Sequence, residues 1–173
     1  QTAGLSAGDE WLGIETAAGR GWRLRKLDDL LLHAQPGQAL QALVDECAAR
    51  GANVVQACFD LDDADRLRQW LIQSDEAYAL DLVIANAGIN INMRAGSAGE
   101  PWDRVEALIR VNITAAIATA HAVLPAMRAR GRGQIAMISS LAAWRGLPET
   151  PSYSASKAAI KAWGEAMRDA VAA

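Results

Sequence analysis

The chain has 173 residues, of which 51% are hydrophobic and 21% charged, a size and composition that suit one packed domain. The net charge is −3 and the basic residues are scattered, which argues against a nucleic-acid or anionic-membrane partner. Cys47 and Cys58 are too few to build a zinc site, so we expect no bound metal, two inert thiols and a reducing compartment. Because we find neither a bilayer-length apolar run nor a signal-peptide pattern, we expect a cytoplasmic protein without membrane contact.

Helical and strand patterns alternate from residue 36 onward. In chain order, the patterns predict helices over 37–50, 63–75, 102–130 and 152–172, and strands over 54–59, 80–85 and 135–139. Pro125 lies inside the third helix and should kink or break it. Strands that alternate with helices at this spacing are typical of βαβ units, so the predicted fold class is α/β with a parallel sheet.

The first 35 residues fit this alternation less well. Leu30-Leu31-Leu32 could form a strand, but the stretch before it shows little periodicity. A doubly wound nucleotide-binding fold should open with an apolar strand and a glycine-rich turn, and neither is plainly present. We therefore expect a single domain that combines an atypical or degraded first βα unit over 1–35 with a core over 36–173.

Tyr153 and Lys157 form the pair with the clearest chemical potential. At positions i and i+4 of a predicted helix, their side chains share one face. A tyrosine hydroxyl has a reference pKa of about 10, and a nearby ammonium favours the phenolate and lowers that pKa. The pair can therefore act as a proton donor and acceptor, although most such pairs are simply solvated helix surface.

Other polar residues stand where parallel strands end, the edge at which open α/β sheets bind ligands. Ser139 and Ser140 close one predicted strand, and the Ser140 hydroxyl could bind a substrate oxygen or simply cap the strand end. The Asn86-Ala87-Gly88 segment closes the neighbouring strand, as a ligand edge or as an ordinary turn. Asn112 is a polar residue in an apolar helical stretch, and it could be structural or could hold water for a proton relay.

These motifs together resemble the short-chain dehydrogenase/reductase (SDR) family in both order and spacing. The resemblance covers residues 36–173 and rests on Asn86-Ala87-Gly88, Asn112, Ser139-Ser140 and Tyr153-Ser154-Ala155-Ser156-Lys157. It implies an incomplete Rossmann-like doubly wound sheet and an NAD(P)-dependent oxidoreductase that interconverts a small-molecule carbonyl and an alcohol by hydride transfer. NADP(H) is the first expectation for the cofactor, although no residue decides between NADP and NAD. The family pattern also implies a homo-dimer or homo-tetramer built on the helices over 102–130 and 152–172. The small, apolar partner faces expected on these helices carry Ala115, Ala116, Ala118, Ala159, Ala162 and Ala166.

The resemblance also implies a role for each matched residue. Tyr153 would be the general acid and base, and Lys157 would lower its pKa and bind the nicotinamide ribose. Ser140 would orient the carbonyl, and Asn112 would support a water-linked proton path. The remaining cofactor-binding positions would be Asp60 and Leu61 near the adenine and Asn86, Ala87 and Gly88 along the cofactor cleft.

The chain departs from the family pattern at both ends. The glycine-rich turn that should hold the pyrophosphate is expected near residues 8–15, where Asp9 and Glu15 stand in place of glycines. A frameshifted start over residues 1–35 would account for this departure. The strand, cofactor loop and substrate lid that follow the last helix in the family are not found before Ala173. The alternative to an oxidoreductase is therefore a non-catalytic or degenerate SDR fragment that cannot bind cofactor.

Overall fold

The computed structural model describes residues 11–15, 21–25, 29–33, 38–93 and 96–172. By their contacts, the residues group into two compact units, Gln1–Asp60 and Leu61–Ala173. The sequence-based division near residue 35, within a single domain, stays a prediction.

The first unit contains a hairpin and a βαβ motif. Strands β1 (Trp11–Glu15) and β2 (Gly21–Arg25) pair in antiparallel fashion. Strand β3 (Asp29–His33) pairs in parallel with β4 (Asn53–Ala57), and α1 (Gln38–Ala49) lies between them in the chain. Parallel strands need such a crossover connection, so the strand predicted at Leu30–Leu32 belongs to a regular βαβ motif.

The core of this motif lies between its helix and its second strand. Cys47 of α1 is 1% exposed and packs with Ala52, and Leu43 and Val54 cover them. The Cys47 thiol makes no disulfide, and burial raises its pKa, so the thiol form is favoured. Cys47 is therefore the inert core thiol that the sequence predicts, whereas the Cys58 thiol is exposed.

The β1–β2 hairpin was not predicted. The family pattern places its glycine-rich turn near residues 8–15, but Trp11–Glu15 is a strand whose partner is Gly21–Arg25. Residues 8–10 of the expected turn lie outside the described residues. The sequence signal for the hairpin is weak because Trp11–Glu15 does not alternate strictly between apolar and polar residues, and the alternation over Trp22–Arg25 is short.

The second unit is built from parallel strands and long helices. Its strands, β5 (Leu82–Ala85) and β6 (Gln134–Met137), pair in parallel with Val83 opposite Ile135. Its helical elements are α2 (Ala64–Tyr78), α3 (Trp102–Ile109), a π-helical segment (Arg110–Ala115), α4 (Ala116–Ala129), a 3₁₀ turn (Leu141–Ala143) and α5 (Pro151–Ala172). The parallel strand pairs in both units confirm the α/β fold class, and the predicted strand over 135–139 ends two residues early.

The apolar core of the second unit lies among its long helices. Leu108 and Val123 are 0% exposed and Ile160 of α5 is 2% exposed. Beside this core, the Arg130 guanidinium donates to both carboxylate oxygens of Asp75 at 2.8 Å. This bidentate pair joins the last turn of α2 to the end of α4, with Asp75 almost fully buried.

Residues 102–129 form one continuous helical run, in which the predicted break at Pro125 does not occur. A proline removes one backbone N–H and leaves the carbonyl four residues earlier without its helical donor. That carbonyl belongs to His121, and both His121 and Pro125 lie on the exposed face of α4. Water can therefore satisfy the carbonyl, so the proline does not end the helix.

The same run is long and apolar enough to cross a membrane by length and composition alone. It has 28 residues, and its most apolar window has a mean hydropathy of 1.5. The expectation that no apolar stretch would reach bilayer length was therefore wrong. It did not take into account how few charged residues follow Arg110. Half of that window is buried within the protein, and α2 and α5 pack against the run. These contacts are those of a core helix.

Candidate functional site

The first turns of α5 carry the predicted acid–base pair. Tyr153 is half-buried and Lys157 is 5% exposed. The Lys157 Nζ lies 5.7 Å from the centre of the Tyr153 ring, because residues four apart on a helix occupy neighbouring positions on one face. The phenol and the ammonium therefore share one environment, as the sequence predicts.

Lys157 is a buried cation with a defined hydrogen-bond acceptor. Its Nζ donates to the Ile138 carbonyl at 2.8 Å, one residue beyond β6. Burial lowers the pKa of this amine below its ordinary value, because the charged form loses its hydration. The carbonyl offsets part of that loss, so the strand end and the helix together hold the ammonium at the carboxyl edge of the sheet.

Asn112 is another buried polar residue of this region. Its Oδ1 accepts from the Ile89 backbone N–H at 2.8 Å, and its Nδ2 donates to the Ile89 carbonyl at 2.9 Å and to the Ser156 hydroxyl at 3.1 Å. The side chain lies within the π-helical segment and is 1% exposed. Both ends of the amide are thus engaged within the protein, and the side chain joins the loop after β5 to α5.

The two serines after β6 have different contacts. Ser139 donates its hydroxyl to the Lys157 carbonyl at 2.9 Å. Ser140 accepts the Ala142 N–H at 3.2 Å and so caps the 3₁₀ turn. Its oxygen therefore caps the turn after the strand and not the strand end itself, and its binding of a substrate oxygen stays a prediction. The hydroxyl hydrogen of Ser140 is not engaged in that contact and can still be donated.

Asn86, Ala87 and Gly88 follow β5 directly and are exposed. The backbone at Gly88 lies next to the lysine and the asparagine, because a Cβ there would lie 3.4 Å from Lys157 Nζ and 3.5 Å from Asn112 Oδ1, at ordinary contact distance. This contact brings the ends of β5 and β6 and the start of α5 to one place.

Asp60 and Leu61, the predicted adenine contacts, fall at the boundary between the two units. Asp60 is exposed, and Leu61 is buried at 8% exposure. Their part in cofactor binding stays a prediction, as do the roles assigned to the other site residues.

The structure brings Gly88, Asn112, Tyr153 and Lys157 together through the contacts given above, and Ser139 ties the end of β6 to α5. The convergence of the Ser140 and Tyr153 hydroxyls on one point stays a prediction. Sequence reasoning missed Ser156, the partner of Asn112, and the Ile138 carbonyl, the acceptor for Lys157. Ser156 lies inside the quoted motif and could have been found there, whereas a backbone carbonyl has no sequence signal.

The described part of the chain holds no cluster of three histidine, cysteine or carboxylate side chains that could bind an ion.

Comparison with known proteins identifies the family. The short chain dehydrogenase family model matches residues 25–173. An uncharacterized oxidoreductase of Myxococcus xanthus strain DK1622 is 39% identical over 160 residues, which cover 90% of this chain and 62% of that protein. The chain therefore spans less than two thirds of the length of this relative.

Solved structures agree with the family in fold. A metagenomic short-chain oxidoreductase in complex with NADP has a TM-score of 0.74 and 27% identity, over 82% of this chain and 64% of that one. A short-chain dehydrogenase from Sphingobium yanoikuyae in complex with NADPH has a TM-score of 0.75 and 26% identity, over 83% of this chain and 56% of that one. The expected Rossmann-like fold, incomplete in this chain, is confirmed, and the chain belongs to the short-chain dehydrogenase/reductase family of oxidoreductases.

Proposed function

We propose that this chain carries the active-site part of an NAD(P)-dependent oxidoreductase that interconverts a carbonyl and an alcohol, with Tyr153 as general acid and base. The observation that carries the proposal is the buried Lys157 ammonium, held by the Ile138 carbonyl and 5.7 Å from the Tyr153 ring centre. A solvated surface pair would leave its cation in water, because burying a charge is costly unless it is paired or hydrogen-bonded. Family membership gives the pair its chemical context.

The donor set around Lys157 fits the ribose end of a nicotinamide cofactor. An ammonium has three N–H donors, and the Ile138 carbonyl takes one of them. The remaining donors and the Tyr153 hydroxyl can bind ribose hydroxyls, while the exposed Asn86–Gly88 segment would border the ring. When bound, the cofactor would supply or accept the hydride, and the NADP and NADPH complexes of the related structures make NADP(H) the first candidate.

The side chains of the chain then have distinct tasks in the reaction. Tyr153 gives a proton to the substrate oxygen during reduction and takes it back during oxidation. Lys157 places its positive charge beside the phenol and would bind the nicotinamide ribose. Ser140 donates its hydroxyl hydrogen to the same substrate oxygen, and Asn112 fixes the loop that carries Gly88 and Ile89. The substrate would be a small carbonyl compound or alcohol, and the protein would act in the cytoplasm.

A second candidate is a degenerate family member that does not bind cofactor. Strand β1 favours it, because Trp11–Glu15 pairs in a hairpin where the family has its pyrophosphate turn. The sequence adds Asp9 and Glu15 at positions of expected glycines, and carboxylates repel phosphate. The two candidates differ in one measurable property, the affinity for NADPH.

Titration with NADPH and with NADH, followed by nicotinamide fluorescence, separates the two candidates. We expect saturable binding, and Lys157→Ala should weaken it roughly ten- to hundredfold, the effect of losing charged hydrogen bonds. Lys161→Ala is the matched control, because it removes an ammonium one turn further along α5 and should keep the wild-type affinity. Absence of saturable binding by the wild-type chain would favour the degenerate candidate.

A further inference from the structure

The start of α5 lacks the cap that its own sequence offers. Thr150 directly precedes the helix, where a hydroxyl normally accepts a first-turn N–H. Its Oγ1 is buried and has no hydrogen-bond partner among the described residues, and the residue is 5% exposed. Its carbonyl accepts the Ser154 N–H and hydroxyl, both at 3.0 Å. The first-turn N–H of Ser152 must therefore find its acceptor elsewhere.

Glu100 supplies that acceptor from a distant part of the chain. Its carboxylate accepts the Ser152 N–H at 3.1 and 3.3 Å, and it also accepts the Ser152 hydroxyl. A carboxylate is well suited to this position, because the positive end of the helix dipole attracts negative charge and ionised acceptors make stronger hydrogen bonds. Glu100 stands 52 residues before Ser152 and just ahead of α3.

A second hydrogen bond reaches α5 one turn further along the helix. Asn112, in the π-helical segment after α3, donates to the Ser156 hydroxyl at 3.1 Å. Ser152 and Ser156 are four residues apart and share one face of α5. Two contacts along one face fix both the rotation of a helix about its axis and its position along that axis.

Tyr153 and Lys157 each directly follow one of these serines, so the two contacts also determine where the acid–base pair points. We propose that Glu100 is a positioning residue, whose carboxylate caps α5 and thereby orients Tyr153 and Lys157. The inference rests on the proposed function for its catalytic consequence. Its structural content, the placement of the Lys157 amine, can be measured without cofactor or substrate.

Competitive acylation of lysine amines, quantified by mass spectrometry, tests the placement directly. In the wild-type chain, Lys157 should react more slowly than Lys161, because its side chain is buried and donates to Ile138. In Glu100→Ala, the Lys157-to-Lys161 labelling ratio should rise by roughly three- to thirtyfold, the range that loss of a helix cap produces. Glu100→Gln keeps an acceptor for Ser152 and should restore most of the protection.

Glu106→Ala is the matched control, since Glu106 is an exposed glutamate on α3 and its removal should leave the ratio unchanged. An unchanged ratio in a folded Glu100→Ala protein would overturn the proposal. If that variant does not fold, Glu100→Asp decides instead, because the shorter side chain withdraws the carboxylate from both the N–H and the hydroxyl of Ser152. A ratio that rises would support Glu100 as a positioning residue, and one that stays at the wild-type value would overturn it.

Kinetic assays distinguish failure of this proposal from failure of the proposed function. Where the chain oxidises NADPH, Glu100→Ala should lower kcat with little change in KM, and Glu100→Gln should recover it, as expected for a misplaced proton donor. A raised labelling ratio without any wild-type turnover would retain the positioning role and reject the oxidoreductase. Turnover by the wild type, together with an unchanged labelling ratio and an unchanged kcat in Glu100→Ala, would retain the oxidoreductase and reject the positioning role.

Discussion

Lys157 carries an ammonium into the interior of the second unit, and this burial has a thermodynamic consequence that depends on pH. The folded protein lowers the pKa of the amine through desolvation, whereas the unfolded chain returns it to its ordinary value. Between the lowered pKa and about 10.4, the unfolded state therefore binds more protons than the folded state. In that window, the free energy of unfolding rises with pH.

This linkage predicts how Lys157→Met should behave. Chemical unfolding measured from pH 7 to 10 should show the wild type gaining stability relative to the variant as pH rises, because the cost of burying the charged form disappears. Lys161→Met, measured in parallel, accounts for the loss of an ammonium from the same helix. A stability difference between wild type and Lys157→Met that falls with rising pH would contradict this assignment of the buried cation.

The turn between α4 and β6 contains two glycines with different reasons for being glycine. Gly131 has φ of 68° and open space around its missing Cβ, whereas Gly133 has φ of 144° and a Cβ there would lie 2.5 Å from Met127 Cγ. Met127 is buried at the C-terminal end of α4 and has little room to move. This turn therefore determines how closely the strand can follow the helix.

Gly133→Ala should cost about 2–4 kcal/mol of unfolding free energy, from overpacking and backbone strain together. Gly131→Ala is the matched variant and should cost about 1 kcal/mol, from the left-handed backbone alone. Denaturant unfolding of both variants checks the order of the two costs. Equal costs would show that the contact with Met127 relaxes without penalty.

The elements that could be predicted from the sequence are those with a strong period. Helices α1 and α2 follow from apolar residues at helical spacing, α5 from its high alanine content, and strands β4, β5 and β6 from short apolar runs. The hairpin of β1 and β2 was missed, because β1 lacks strict alternation and the alternating run in β2 is only four residues long. The π-helical segment around Asn112 could not be predicted either, because it depends on side-chain contacts with Ile89 and Ser156.

The residues of the candidate site also fall into those that the sequence predicts and those that it does not. Tyr153, Lys157 and Asn112 were found because a motif of fixed spacing carries them. Glu100 was missed because its partner, Ser152, is 52 residues away and a single glutamate before a helix has no pattern. Contacts of high sequence separation are set by tertiary packing, so local sequence periods cannot reveal them.

At the scale of the whole molecule, only one of the two helix faces expected to form a subunit interface is exposed. Ala115, Ala116 and Ala118 were expected to face a partner, but they are 3%, 8% and 8% exposed within a single chain. On α5, Ala159, Ala162 and Ala166 are exposed. The α5 face therefore remains available for a two-fold contact, the commonest oligomer geometry.

Sedimentation velocity at micromolar concentration should show a dimer or tetramer that Ala162→Arg converts to monomer, since a charged side chain would have to be buried without a partner. Gln73→Arg places the same charge on the exposed surface of α2 and should leave the assembly unchanged. A strictly monomeric wild-type profile at high micromolar concentration would contradict the expected association.

The central claim is that Tyr153 transfers the proton while a nicotinamide cofactor exchanges the hydride. It is tested most directly by NADPH oxidation against a panel of ketones and aldehydes, with the protein in excess over NADPH so that slow turnover is visible. The account predicts carbonyl-dependent oxidation that Tyr153→Phe lowers by at least about 100-fold while NADPH affinity stays close to wild type, because only the transferable proton is lost. Equal oxidation rates in the wild type and Tyr153→Phe, or no oxidation by either, would contradict it.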